Sequence, residues 1–341
     1  MSYSPSDPRI AELRSLLAAR PRTTIIAHHN PDGDAMGSAL GLWHILRGQG
    51  IAATVVMPNT PAGNLQWMPG ANQVVHGDRQ RPEAEALLRE CGLLFCLDFN
   101  RPDRVGDLEQ ALLAAPRRVL IDHHIDPADF TSPTFSDTRS PATCELVFDI
   151  AQALGFNAAI GAEAATCLYT GLVTDTGQFR FSSTTPHTLR TAALLMERGA
   201  VPDRIVPALL DDHTADRMRL LGFILTERMR VLPELETVVM YAEAADLKRF
   251  NHQPGDTEGF VNQGLSIRGI RISAFFMERH DGVKLSVRSK GSLPVNGLLR
   301  DHFDGGGHAN AAGGRTKEPL HQAMERFIAL LPELLAKHPA A

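Results

Sequence analysis

Four short segments of this chain set carboxylates and imidazoles at spacings that could bind divalent metal. The first is His28-His29-Asn30-Pro31-Asp32-Gly33-Asp34, where a strand pattern gives way to a helix pattern. His28, Asp32 and Asp34 are spread along one turn, which Pro31 restricts and Gly33 permits. A helix cap accounts for one acid, and Asp34 fits that role, but a cap does not call for a second acid beside imidazoles. The second segment is Asp98, closing the apolar run Leu93-Leu94-Phe95-Cys96-Leu97; taken alone it could simply begin a loop. The third, Asp122-His123-His124, closes Val119-Leu120-Ile121. Imidazole with carboxylate suits manganese, iron, cobalt or zinc, whereas oxygen-only sets suit magnesium or calcium. The fourth is Asp175 in Thr174-Asp175-Thr176-Gly177, by itself an ordinary helix-terminal turn. Together they place a mixed His/Asp cluster at successive chain breaks, which is best explained by two metals sharing a bridging carboxylate.

The elements that must position these residues are legible as alternating patterns. Thr23–Ala27, Ala53–Met57, Leu93–Leu97 and Val119–Ile121 read as buried strands. Ala35–Leu46, Asp107–Ala115, Thr143–Leu154 and Ala159–Val173 read as helices. Strands alternating with helices predict an α/β fold, with an N-terminal mostly parallel sheet covered by helices on both faces. Ligands of such sheets sit beyond the carboxyl ends of the strands, where three of the four segments fall. Residues 1–185 are expected to form the catalytic metal-binding domain and 186–230 a helical connector. A smaller C-terminal α/β domain is expected over 231–341. In it Thr237–Ala242, Arg271–Glu278 and Val283–Arg288 alternate like strands, Asp304–His308 reads as a glycine-rich turn, and an amphipathic helix runs from Pro319 to Lys337.

The chain has 341 residues, a length that suits two cores rather than one. A formal net charge of −5 speaks against a large surface for long duplex DNA, though not against a small nucleotide, since bound metals attract phosphate themselves. No apolar run approaches the length of a membrane span, and the first twenty residues resemble no secretory signal; the default expectation is a cytoplasmic protein with no membrane partner. Cys91, Cys96, Cys144 and Cys167 lie in apolar stretches without zinc-type spacing, and read as buried thiols.

The four segments resemble the signature motifs of the DHH phosphoesterase superfamily, whose eponymous triplet stands here as Asp122-His123-His124. Downstream, Gly305-Gly306-Gly307-His308 followed by Ala311-Ala312-Gly313 is similar to the DHH-associated C-terminal domain. Within the superfamily the chain is most similar to the oligoribonuclease (nanoRNase) and 3′-phosphoadenosine-5′-phosphate phosphatase branch. The resemblance implies that His28, Asp32 and Asp98 hold one metal, and that Asp34, Asp98, His123 and Asp175 hold the other. It implies catalytic roles for His124, facing the substrate phosphate, and for Asp122, fixing an imidazole through a hydrogen bond. The implied cofactors are two divalent metal ions, manganese being the usual choice, and a homodimer is suggested on the same ground. Arg288, Ser289, Gly305, Gly306, Gly307 and His308 become substrate-binding candidates. From the residues alone, a glycine turn and a solvated basic strand end would explain them equally well.

Two cations about 3.5–4 Å apart can neutralise charge on a phosphoryl group and lower the pKa of water from 15.7 to about 7. The expected activity is hydrolysis of di- to pentaribonucleotides to mononucleotides, of 3′-phosphoadenosine-5′-phosphate to AMP, or both. A second domain that must reach the far end of the substrate favours short substrates. An aromatic content of only 6% disfavours stacking along a long single strand. The competing readings are a phosphodiesterase for cyclic dinucleotides or their linear products, a pyrophosphatase, and a silent nucleotide-binding regulator.

Overall fold

In a computed structural model that describes residues 3–211 and 213–339, the β-rich runs of the first half lie side by side as one parallel sheet. The chain divides into two compact units, Met1–Asp212 and His213–Ala341. In the first, helix α1 (Pro8–Ala18) precedes β1 (Thr23–Ile26), α2 (Gly33–Gly48), β2 (Ala53–Met57), β3 (Val75–His76), α3 (Arg81–Glu90) and β4 (Leu93–Leu97). There follow α4 (Glu109–Leu113), β5 (Arg118–Asp122), β6 (Thr134–Ser136), α5 (Thr143–Leu154), α6 (Ala162–Asp175), α7 (Pro186–Glu197) and α8 (Pro202–Leu210). The strand order is β3-β2-β1-β4-β5-β6, with every pair parallel.

Alternation along the strands explains their nearly continuous apolar sequences. Ile25, Val55, Phe95 and Val119 pack into one core with α1, α2, α5 and α6. Ile26, Val56, Leu94, Cys96 and Leu120 pack into another with α3 and α4. A sheet buried on both faces has no polar side to show. The two-faced α/β architecture expected from sequence is therefore the one observed.

Strand order also fixes where a ligand can sit. The chain runs outward from β1 through β2 to β3, then returns to lay β4 against the other side of β1. Connections leaving the carboxyl ends of β1 and β4 therefore diverge, which opens a crevice at that switch point. The segment from His28 leaves β1, and Asp98 leaves β4.

Helices α2 and α6 cross this end of the sheet at close range because α2 carries glycine every fourth residue. A Cβ on Gly33 would stand 2.3 Å from Thr174 Cγ2, and one on Gly37 2.5 Å from the Cys167 carbonyl oxygen. One on Gly41 would stand 2.6 Å from Leu168 Cδ2. The contact is returned by Gly171 on α6, where a Cβ would lie 2.5 Å from Asp34 Oδ1. Side chains at these positions would force the helices apart, and with them Asp34 and Asp175.

The second unit holds α9 (Ala215–Glu227), β7 (Met229–Leu232), β8 (Thr237–Ala242), α10 (Ala244–Arg249), α11 (Phe260–Gly264), β9 (Ile272–Arg279) and β10 (Gly282–Ser289). It ends with α12 (Asn296–His302), β11 (Gly306–His308), β12 (Ala311–Thr316) and α13 (Leu320–Lys337). Its sheet, ordered β11-β12-β10-β9-β8-β7, is antiparallel except for the β8–β9 pair. The helical stretch 186–230 is shared out: α7 and α8 lie in the first unit and α9 in the second.

Two local expectations are corrected. The glycine-rich segment is not simply a turn, because Gly306–His308 pairs with β12 as an edge strand. Residues 102–108 form 3₁₀ turns interrupted at Gly106 (φ 59°), and only Glu109–Leu113 continue as α-helix. All four cysteines are buried free thiols, as expected. Among the described residues no helix is long and apolar enough to cross a membrane.

Candidate metal centre

The turn after β1 shows why two acids follow His28. Asp32, not Asp34, caps α2: its Oδ1 accepts from the amides of Asp34 (3.0 Å) and Ala35 (3.1 Å). Asp34 is thereby left for another task. Wholly buried, it accepts from the Thr143 amide (2.6 Å) and the Cys144 amide (3.0 Å) at the start of α5. An N-terminal helix turn carries unpaired N–H groups and partial positive charge, so it holds this carboxylate in place.

Asp98 is the hub. It follows β4 with φ 62°, a left-handed conformation that aspartate tolerates better than most residues. Its Oδ2 lies 3.5 Å from His28 Nε2, and its Oδ1 lies 3.5 Å from His123 Nε2. The Thr143 hydroxyl donates to Oδ1 at 3.0 Å. Each carboxylate oxygen thus faces a different imidazole.

Both imidazoles are oriented from behind. His28 Nδ1 lies 3.0 Å from the His29 carbonyl oxygen, and His123 Nδ1 lies 3.2 Å from that of Ser140. Donating Nδ1–H to a carbonyl leaves the Nε2 lone pair aimed at the cluster, as a metal-ligating histidine requires. Ligand atoms of His28, Asp32 and Asp98 lie within 4.8 Å of one another, as do those of Asp34, Asp98 and His123. Asp175 Oδ2 comes within 3.4 Å of His123 Nε2. Asp98 belongs to both groups, as a bridging ligand must. His124 Nδ1 donates to Asp122 Oδ1 at 2.8 Å, while Asp122 Oδ2 is buried without a hydrogen-bond partner among the described residues.

The electrostatics describe a site built for added positive charge. Burial, and then the negative charge of Asp98, push Asp34 well above the usual carboxylate range. Burial pushes Asp175 the same way, with Asp34, Asp32 and Asp98 adding to it. Asp98 goes far below that range: burial opposes its charge, but the hydrogen bond from His28 and the attraction of the histidines outweigh it. His28 is raised, since its bonds to Asp32 and Asp98 overcome the cost of burying an imidazolium. So many acids crowded together can all ionise only if cations join them. The donor set, mixed imidazole and carboxylate, fits divalent first-row metals.

All six expected metal ligands and the Asp122–His124 pair thus meet in one cluster at the predicted end of the sheet. The candidates in the second unit have their own setting. Arg288 is opposite Ala311 on β12 and Ser273 on β9, and its Nη1 donates to the Val287 carbonyl at 3.0 Å. Ser289 is buried; its hydroxyl donates to the Leu293 carbonyl and accepts from Asn310 Nδ2. Gly305 and Gly307 permit close packing, since Cβ atoms there would stand 2.2 Å from the Gly313 oxygen and 2.6 Å from the Ala311 oxygen. In a strand, successive amides point opposite ways, so Gly306–His308 does not form the concave run of N–H groups that a glycine turn would offer.

Sequence reasoning missed Thr143, Cys144 and Ser140, which contribute two backbone amides, a hydroxyl and a carbonyl. Backbone donors leave no residue-type signal. The one available hint was a helix pattern starting at Thr143, whose first amides need an acceptor.

Residues 22–172 match the DHH family, N-terminal domain, and residues 237–337 match the DHHA1 domain. The chain is 31% identical to the bifunctional oligoribonuclease and PAP phosphatase NrnA of Thermus thermophilus, over 92% of this chain and 90% of that one. It is 27% identical to the protein of the same name from Bacillus subtilis, over 92% of this chain and 96% of that one. A solved structure of an exopolyphosphatase-related protein from Bacteroides fragilis superposes with a TM-score of 0.92 at 33% identity, covering 96% of this chain and 98% of the other.

Proposed function

Because the chain belongs to the DHH family, we propose that it hydrolyses short oligoribonucleotides to mononucleotides, 3′-phosphoadenosine-5′-phosphate to AMP, or both. It is a phosphoesterase with DHH and DHHA1 domains. The substrate assignment draws on the two NrnA relatives, which span nearly the whole chain and are named for both activities. The observation that carries the reading is the carboxylate of Asp98, with one oxygen toward His28 and the other toward His123.

His28, Asp32 and Asp98 would hold one divalent ion, and Asp34, Asp98, His123 and Asp175 the other, with manganese as the proposed metal. Such ions supply a water acidic enough to attack near neutral pH and charge to offset the phosphoryl oxygens. The chain's own groups do the rest. Thr143 and Cys144 fix Asp34, and the carbonyls of His29 and Ser140 fix the two imidazoles. Asp122 accepts from His124 Nδ1 and so orients the imidazole that is proposed to face the phosphate. Burial works against a charged His124, but the hydrogen bond to Asp122 and the charge of Asp98 raise it above its ordinary value. It is therefore suited to give a proton to the departing ribose oxygen as the water oxygen bonds to phosphorus. Arg288, Ser289, Gly305, Gly306, Gly307 and His308 are proposed to bind the nucleotide.

A substrate panel with manganese tests this: a diribonucleotide, a pentaribonucleotide, a long single strand, 3′-phosphoadenosine-5′-phosphate, a cyclic dinucleotide and pyrophosphate. Turnover confined to the short oligonucleotides and the bisphosphate is expected. Preference for the cyclic dinucleotide or pyrophosphate would keep the metal centre and replace the substrate. No turnover of any member would favour a silent binding protein.

A further inference from the structure

Behind His123 lies a buried polar group that the proposed chemistry does not use. Glu145, on the first turn of α5, is almost wholly buried at 2% exposure. Its Oε1 lies 3.1 Å from Ser140 Oγ, and its Oε2 is buried without a hydrogen-bond partner among the described residues. One turn further along the same helix, Asp149 is also fully buried, with His187 Nε2 at 2.9 and 3.1 Å from its two oxygens.

The Ser140 hydroxyl lies between two acceptors. Ser140 Oγ stands 3.0 Å from the Ala142 carbonyl oxygen as well as 3.1 Å from Glu145 Oε1. A hydroxyl has one proton to donate and two lone pairs. The Ala142 carbonyl already accepts from the Glu145 amide at 3.2 Å, so the Ser140 proton can go to Glu145 Oε1. Burial pushes the Glu145 carboxyl above its usual range.

Ser140 joins this acid to the metal centre, because its carbonyl accepts from His123 Nδ1. The loop containing Ser140 is tied at its start, where the Asp137 amide donates to the Asp122 carbonyl at 3.1 Å. It is tied at its end by α5, whose first amides hold Asp34. The Glu145–Ser140 bond fastens the stretch between.

We infer that Glu145 is a positioning residue: by accepting from the Ser140 hydroxyl it fixes Ser140 and, through the Ser140 carbonyl, the His123 imidazole. The inference rests on the reading of His123 as a metal ligand. Partners that orient a ligating histidine are typically worth about 10–100-fold in metal affinity.

Calorimetric titration of the metal-free full chain with manganese, for wild type, Glu145→Ala and Glu145→Gln, tests it, with thermal melts recorded for each. Glutamine keeps an oxygen that can accept from the Ser140 hydroxyl. Glu145→Ala is expected to weaken one of two manganese sites by about 10–100-fold and leave the other unchanged. Glu145→Gln should restore binding to within about twofold. If Glu145→Ala does not fold, Ser140→Ala replaces it, removing the hydroxyl link but keeping the carbonyl, with the same one-site loss expected. Wild-type affinities in Glu145→Ala, or in Ser140→Ala where it stands in, would overturn the inference. So would a Glu145→Gln as weak as Glu145→Ala, since the hydrogen bond from Ser140 would then not be what holds His123 in place. A wild type that binds no manganese would instead overturn the reading of the metal centre.

Discussion

Replacing Gly171 by alanine sets two opposed effects against each other at one buried point. Alanine is favoured over glycine inside a helix by about 1 kcal/mol, and Gly171 sits well within α6. Against that, the new methyl would stand 2.3 Å from Cys144 Sγ and 2.5 Å from Asp34 Oδ1, with Asp34 Cα at 3.1 Å. None of these atoms can swing away: Asp34 is held by two α5 amides, and Cys144 is fully buried. Overpacking of a tight core costs about 1–3 kcal/mol, occasionally more, and the upper end applies where the obstruction is so constrained. The net loss is therefore about 2 kcal/mol, or about 4–8 °C in the melting temperature of a unit this size. Because relief requires moving Asp34, manganese affinity should fall as well. Gly222→Ala in α9 is the control, since a Cβ there meets nothing within 4 Å; only the propensity gain remains. Differential scanning calorimetry and a manganese titration of both variants make the comparison. A Gly171→Ala protein as stable as wild type, with unaltered metal affinity, would refute the claim that glycine spacing sets the distance between α2 and α6.

Three further outcomes are expected. Asp122→Ala removes the acceptor for His124 Nδ1, so kcat should fall about 10–100-fold while manganese content, read by atomic absorption, stays at the wild-type level. Arg288→Ala should raise KM for a diribonucleotide with metal content unchanged; loss of metal would contradict its assignment to substrate binding. Metal uptake should release protons, because His28 is held above its ordinary value by Asp32 and Asp98 against the cost of burial, while burial raises Asp34 and Asp175. Protons and metal compete for the same atoms, so affinity is fully developed on the alkaline side. It declines as pH falls into the raised His28 range, beginning above about 6.5. Calorimetry in buffers of different ionisation enthalpy counts the protons, and a count of zero at neutral pH would exclude this coupling.

The parallel sheet and the edge that carries the candidate metal centre were legible in the sequence for a physical reason. Strands buried on both faces, such as Leu93–Leu97, are continuous apolar runs, and an acid ending such a run stands out. Elements with weaker patterns escaped notice. Helix α3 is Arg-Pro-Glu-Ala-Glu-Ala-Leu-Leu-Arg-Glu and buries only Ala84 and Leu88, and β6 is three residues long. Strand β11 has no apolar side chain at all, so Gly306-Gly307-His308 reads as a turn until its β12 partner is known. Around the site, Asp32 and Asp34 are equally plausible caps by type, and only their hydrogen bonds separate them. Glu145, Asp149 and His187 are distant from the motif residues in sequence or hidden in a helix pattern, and their pairing exists only once α5 and α7 have packed.

Asp98→Asn tests the shared carboxylate most directly. Asparagine keeps the volume and tolerates the positive φ of 62° at this position, so the loss of a bridging charge is isolated from backbone strain. Manganese stoichiometry and diribonucleotide turnover would be measured together on wild type and variant. Two ions per wild-type chain are expected, fewer than two in Asp98→Asn, and turnover reduced by at least about a thousandfold. An Asp98→Asn protein that keeps two ions and near wild-type turnover would contradict the two-metal centre built on Asp98.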